Sequence, residues 1–301
     1  MRNAKNATNA AETIWQSDCS LAFRKSEQMP ILSVVIPASI DAELRATANR
    51  RARSLDSIVG VALSEFLNFE RHRMYQISTS GALVEGVYSG SISSRLLMAH
   101  GDFGLGTFEN LDGEMVVVDG AIYQVHSNGA VVHRQDDFQI PFAVITRFQA
   151  DEAFESGPVG CLKDLERACD PHRESANLFY VLRVDGFFEN VQARAVSGVV
   201  MGTRLVDAAK KQGEFEFRSI EGTLVCIWSP SYSSAFNIPG YHFHFISKDR
   251  ASGGHVLDLK AVNLRVAIQM LCEYDVRLPS EGTFLTADLN RDPTSDLAKT
   301  E

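Results

Sequence analysis

The sequence predicts an α+β protein: a β-dominated region with mixed or antiparallel sheets in two subdomains, preceded by a small strand–helix–helix appendage. Three observations predict it. From about Met74 onward, short apolar or alternating runs are separated by turn residues. Convincing helical spacing is confined to two stretches between Pro30 and Asn68 and to short later inserts. The opening residues, rich in Asn, Ala, Ser and Lys, show little periodicity. The 301 residues suffice for one large domain or two modest ones with a substantial core.

Residues 1–28 read as a disordered tail, because such a composition cannot bury enough apolar surface to offset its ordering entropy. Residues 29–72 form the appendage. The run LSVVI predicts a strand, Ser39 and Asp41 cap a first helix carrying Leu44 and Ala48, and Ser54 caps a second with Ile58, Ala62, Leu63 and Phe66 on one face. This segment resembles the ribbon-helix-helix family, in which strands from two chains pair and their outward side chains can read the DNA major groove. LSVVI, however, presents apolar side chains where a reader wants Arg, Lys, Asn or Gln. The appendage therefore reads first as a dimerising or packing unit, with DNA binding as the lesser alternative. Arg50, Arg51 and Arg53 read as a solvated helix end, favourable near the negative end of the dipole.

Residues 73–301 form the large domain. Its strands are expected in GEMVVVDG, AIYQVHSNG, PFAVITRFQ, NLFYVLRVDG, NVQARAVSG, GTLVCIWSP, YHFHFIS and GHVLDLKAV, with short helices in GPVGCLKDLERACD and around Ser91 to Met98. The run GDFGLG superficially matches a dinucleotide-binding glycine pattern, but no convincing helix follows it. A net charge of −9 argues against a mainly electrostatic nucleic-acid or membrane-surface binder. The cysteines at 19, 161, 169, 226 and 272 have no C-x-x-C spacing, which fits a reducing compartment. With no secretory signal pattern at the N-terminus and no run near ~20 apolar residues, a cytoplasmic protein is expected.

The stretch from Tyr241 to Val256, YHFHFISKDRASGGHV, holds three of the eight histidines. Alternation along a strand puts His242 and His244 on one face, with Tyr241, Phe243 and Phe245 on the other. A hairpin centred between Asp249 and Arg250 would set His244 opposite His255, at roughly 5 Å between Cβ atoms, with His242 on the ~7 Å diagonal. Three converging imidazoles with a position left open is the arrangement of a catalytic zinc site. The same residues also read as half-buried strand histidines satisfied by hydrogen bonds, and a one-residue slip would turn His255 away. His72, His100, His126, His133 and His172 lack such spacing and are expected at the surface or in turns.

A metal with three neutral ligands keeps its charge and can polarise a substrate oxygen, so an acid and an anion-binding group are sought next. Glu114 opens the apolar run EMVVV after a glycine-rich segment, as a pocket acid or as a surface strand-end carboxylate. Arg194, between Ala193 and Ala195, is a fork for a substrate carboxylate or a plain surface arginine.

Taken in order, TSGALVEGVYSG, GDFGLGTFENLDGEMVVVDG, NLFYVLRVDGFFENVQARAV and PGYHFHFISKDRASGGHVLDL resemble the α-acetolactate decarboxylase family, from about Met74 to the C-terminus. The resemblance implies a zinc ion held by His242, His244 and His255. It matches the family's LDGE glutamate to Glu114, a preceding threonine to Thr107 and the active-site arginine to Arg194. A further glutamate from the tail falls on Glu301, with Asp296 as a substitute. The implied reaction converts 2-acetolactate to acetoin and CO₂ in acetoin and butanediol formation by a homodimer. Zinc would chelate the hydroxyl and keto oxygens and stabilise an enediolate that is protonated on one face. Two other readings are a different His₃ metal lyase and a DNA-binding regulator that senses acetolactate.

Overall fold

The structure, a computed structural model, describes residues 32–51, 54–66 and 72–300. Two compact units divide the chain, with the boundary between Leu63 and Ser64. The first contains α1 (Ala38–Arg51) and most of α2 (Leu55–Phe66). Helix α1 starts earlier than a Ser39 cap predicts: the Ile40 and Asp41 N–H groups donate to the Pro37 carbonyl, so Ser39 and Asp41 lie inside the first turn. Ser54 does precede α2, and its carbonyl accepts from Ile58.

The predicted LSVVI strand is absent. Residues 32–37 have no regular structure, and Leu32, Val34, Val35 and Ile36 are exposed. A strand needs a neighbour to pair its backbone groups, and no described residue supplies one here. The apolar face predicted for α2 is covered only at Ile58, while Ala62, Leu63 and Phe66 face solvent. On α1, Arg50 pairs with Glu43 at 2.8 Å and Arg45 with Asp41 at 3.0 Å. Arg53 and the tail predicted for residues 1–28 lie outside the described residues.

The second unit is strand-rich. In chain order its strands are β1 (Arg73–Ile77), β2 (Ile92–Ser93), β3 (Phe103–Thr107), β4 (Glu114–Val118), β5 (Ala121–Val125), β6 (Val131–Arg134), β7 (Gln139–Ile140), β8 (Phe142–Thr146), β9 (Glu152–Glu155), β10 (Phe179–Ala195), β11 (Gly213–Ser229), β12 (Gly240–Ser247), β13 (Gly253–Leu271) and β14 (Glu273–Arg277). Its short helices are α3 (Ser80–Val84), α4 (Ser94–Met98), α5 (Leu162–Cys169), α6 (Leu205–Ala209) and α7 (Thr294–Leu297). A seven-stranded sheet runs β14-β1-β8-β3-β4-β5-β6, antiparallel except for the β1–β14 pair. A five-stranded sheet runs β10-β11-β12-β13-β9, and a further β10–β13 pairing closes it on itself.

Apolar faces of the two sheets meet in one core, where Val116, Val125 and Val144 of the first sheet join Val181, Val225 and Ile246 of the second. A second core, including Phe188, Phe243 and Phe245, belongs to the closed sheet. NLFYVLRVDG and NVQARAV, expected as separate strands, are both parts of β10. Gly186 between them is no turn. It lets β10 approach β13, because a Cβ there would come within 2.7 Å of the Leu264 side chain.

The glycines of GDFGLGTF have a similar use. Gly104 and Gly106 alternate along β3, and added Cβ atoms would stand 2.1 Å from the Val144 carbonyl oxygen and 2.4 Å from that of Phe142. The run thus seats β3 against β8 rather than cradling a phosphate. Gly106→Ala should cost about 1–3 kcal/mol through overpacking against backbone that cannot step aside. Thermal unfolding checks it, and an unchanged Tm would contradict the close packing.

Candidate metal centre and active site

Strand β12 alternates as expected: Phe243 and Phe245 enter the core of the closed sheet, while His242, His244 and Ile246 face the seven-stranded sheet. The connector between β12 and β13 preserves the predicted register, with His244 directly opposite His255. His242 Nε2 lies 3.1 Å from both His255 Nδ1 and His244 Nε2. Nitrogens at three corners of a zinc tetrahedron, each about 2.0–2.1 Å from the ion, stand about 3.3 Å apart; the two spacings from His242 are close to that value, and the three ligand nitrogens all lie within 4.8 Å of one another. Among the described residues this is the one cluster of His, Cys, Asp or Glu able to hold a metal.

All three imidazoles are buried. Burial holds the His242 and His255 pKa values well below the ordinary 6.5 and lowers that of His244 to about 4. Repulsion from Arg194 acts in the same direction on each. The rings are therefore neutral near pH 7, the state a metal ligand requires. The His244 tautomer is also fixed. Its Nδ1 lies 2.9 Å from the Met115 carbonyl oxygen, which can only accept, so the lone pair is left on Nε2 at the centre of the cluster.

Glu114 and Arg194 join the same pocket. Glu114 opens β4, and its Oε2 is 3.6 Å from His244 Nε2. Burial pushes its carboxyl up to about 7, partly offset by the Arg194 charge and the Val196 N–H. Arg194, near the end of β10 and opposite His255 in register, is only 8% exposed. Its guanidinium donates to the carbonyl of Thr300. Thr107 is paired across the β3–β4 ladder with Glu114, and its hydroxyl donates to the Gly113 carbonyl at 2.9 Å. That bond braces the turn leading into Glu114.

The tail acids stand apart from this group. Asp296 accepts from Arg204 at 2.9 Å and does not line the pocket. Glu301 lies outside the described residues, although its neighbour Thr300 is in the pocket wall. His72, His100, His133 and His172 are engaged elsewhere: His72 with the Met270 carbonyl, His100 and His133 stacked on tyrosines, and His172 with Phe154 and Glu152.

Sequence reasoning missed most of the apolar wall, which includes Leu83, Leu111, Phe142, Val196 and Ile238. Leu111 is the least predictable of them. It and Asn110 both adopt left-handed backbone, at φ 55° and 59°, conformations that a branched apolar residue rarely occupies. The loop is pinned by Asn110, whose N–H donates to Tyr88 and whose carbonyl accepts from Val199. The NLDG turn signal marks a turn there but does not reveal a leucine held over a site.

A family model described as "Alpha-acetolactate decarboxylase" matches residues 74–291. The protein named "Alpha-acetolactate decarboxylase" from Methanosarcina mazei is 39% identical over 254 residues, covering 84% of this chain and 87% of its own length. That of Brevibacillus brevis is 37% identical, covering 76% and 80%. The crystal structure of alpha-acetolactate decarboxylase from Bacillus subtilis superposes with a TM-score of 0.74 at 35% identity, covering 76% of this chain and 99% of that one.

Proposed function

The chain belongs to the alpha-acetolactate decarboxylase family, and on that premise we propose that its pocket converts 2-acetolactate to acetoin and CO₂ with a zinc ion held by His242, His244 and His255. One observation carries the proposal: three buried imidazoles, a buried guanidinium and a largely buried carboxyl group converge on one pocket. When bound, zinc supplies a Lewis-acid charge for the substrate's hydroxyl and keto oxygens.

The substrate is a β-keto acid, so its own carbonyl accepts the electrons released with CO₂ and no organic cofactor is needed. Arg194 binds and orients the departing carboxylate, a task suited to a guanidinium whose charge is permanent and whose donors form a fork. The apolar wall around Leu111 and Phe142 excludes water, so that charge acts in a weakly screened setting. Glu114, whose Oε2 stands 3.6 Å from His244 Nε2 in the pocket wall, is placed to deliver a proton to one face of the enediolate left after CO₂ departs. Glu301 is proposed as the second proton-handling acid, supported by the place of Thr300 in the wall. Thr107 keeps the turn before Glu114 in shape.

Incubating the purified protein with racemic acetolactate should release CO₂ and acetoin in equal amounts, with one acetoin enantiomer dominant on chiral chromatography. Glu114→Gln keeps the shape but removes the acid, and should slow turnover about 10²- to 10⁴-fold, the range of general acid–base catalysis. Racemic acetoin from the wild-type protein would rule out protonation by a fixed acid.

A further inference from the structure

A guanidinium outside the pocket joins three chain segments that do not otherwise meet in sequence. Arg204 stands immediately before α6, and its Nη2 donates both to Glu85 Oε1 at 3.0 Å, at the end of α3, and to Asp296 Oδ2 at 2.9 Å, within α7. The two carboxylates are 17% and 19% exposed, so neither is a freely solvated surface acid. The Arg204 side chain is itself 39% exposed, but its Nε is buried without a hydrogen-bond partner.

Beneath this junction, Leu297 of α7 is buried against Val84 and Ile238, with Leu205 packed alongside. Three residues further on, Thr300 is 4% exposed, with its hydroxyl bonded to the carbonyls of Asp296 and Leu297. The Thr300 carbonyl in turn receives the Arg194 guanidinium, and Thr300, Leu205 and Ile238 all line the pocket. A continuous set of contacts therefore leads from Arg204 through α7 to Arg194.

We infer that Arg204 is a positioning residue for the decarboxylation: its paired contacts to Glu85 and Asp296 latch the C-terminal segment so that the Thr300 carbonyl holds Arg194 in its working orientation. This rests on the reading of Arg194 as the group that binds the substrate carboxylate. An exposed ion pair alone would contribute little. What distinguishes this one is the segment it fixes, since a guanidinium released from Thr300 can swing away from the substrate carboxylate, and misplacing a positioning group costs up to about a hundredfold in rate.

The test uses the full-length, zinc-loaded protein. Arg204→Met and Asp296→Asn should each lower kcat by about tenfold or more, while zinc content stays at the wild-type level. Arg204→Lys, which keeps the charge, should recover part of the loss. Hydrogen exchange read by mass spectrometry should accelerate at residues 294–300 in Arg204→Met and Asp296→Asn, and remain slow in Lys299→Ala, which removes only an exposed partner of Asp296. Unchanged exchange in Arg204→Met would overturn the latch. Faster exchange with unchanged kcat would overturn the positioning role. A wild-type protein without turnover would instead sink the reaction assigned above, and exchange alone would then decide the latch.

Discussion

Replacing His244 with Ala is expected to strip the protein of zinc and lower turnover by about a thousandfold or more, the equivalent of several kcal/mol of lost charge stabilisation. His244 is constrained on three sides. It is opposite His255 in the ladder, 3.1 Å from His242 Nε2, and its tautomer is set by Met115. Removing it leaves two imidazoles, too few for the closed face of a three-ligand catalytic site. Elemental analysis alongside circular dichroism separates loss of metal from loss of fold. A variant that retains one zinc per chain would show that the triad is not the ligand set.

Arg194→Ala should leave zinc content at the wild-type level yet reduce kcat/KM by at least about a hundredfold, as expected when a charge-stabilising donor in a buried site is removed. Arg194 repels protons from all three histidines, so its loss raises their proton affinity slightly but removes no ligand. Arg194→Lys should recover little, because a point charge cannot reproduce the fork and would reach the Thr300 carbonyl differently. Loss of zinc in Arg194→Ala would instead make this arginine a structural support for the metal centre.

The centre of the site was readable from sequence because a hairpin converts spacing into geometry. Two histidines at i and i+2 share a face on any strand, and the polar, glycine-ended connector fixed which residue returned opposite His244. Glu114 and Arg194 were legible as candidates, but their burial depends on packing between the two sheets, which no local pattern encodes. Gly186, in the middle of the long β10, resembles a turn signal, whereas its cause is the approach of β13, more than seventy residues away in sequence. The glycines of β3 are likewise set by a neighbour distant in sequence, the backbone of β8. LSVVI has strand composition without a strand, since composition cannot provide a neighbour to pair with. Neither Leu111 nor the Arg204 junction could be foreseen: one needs a left-handed leucine, the other three segments brought together by the fold.

Closing the pocket with apolar side chains and a tail residue also explains how so small a set of polar groups can suffice. Removal from water disfavours the charged form of each group: it raises the Glu114 carboxyl to about 7 against the opposing charge of Arg194, and lowers the His244 imidazole to about 4. The same burial serves two opposite protonation states, one on the acid and one on the ligands.

The most direct measurement is acetoin and CO₂ production from racemic acetolactate by the purified protein, before chelation, after chelation and after zinc is restored. Turnover should disappear with the metal and return with zinc, in proportion to one ion bound per chain. Absence of turnover in fully zinc-loaded protein, or undiminished turnover in protein shown to hold no metal, would contradict the proposed function.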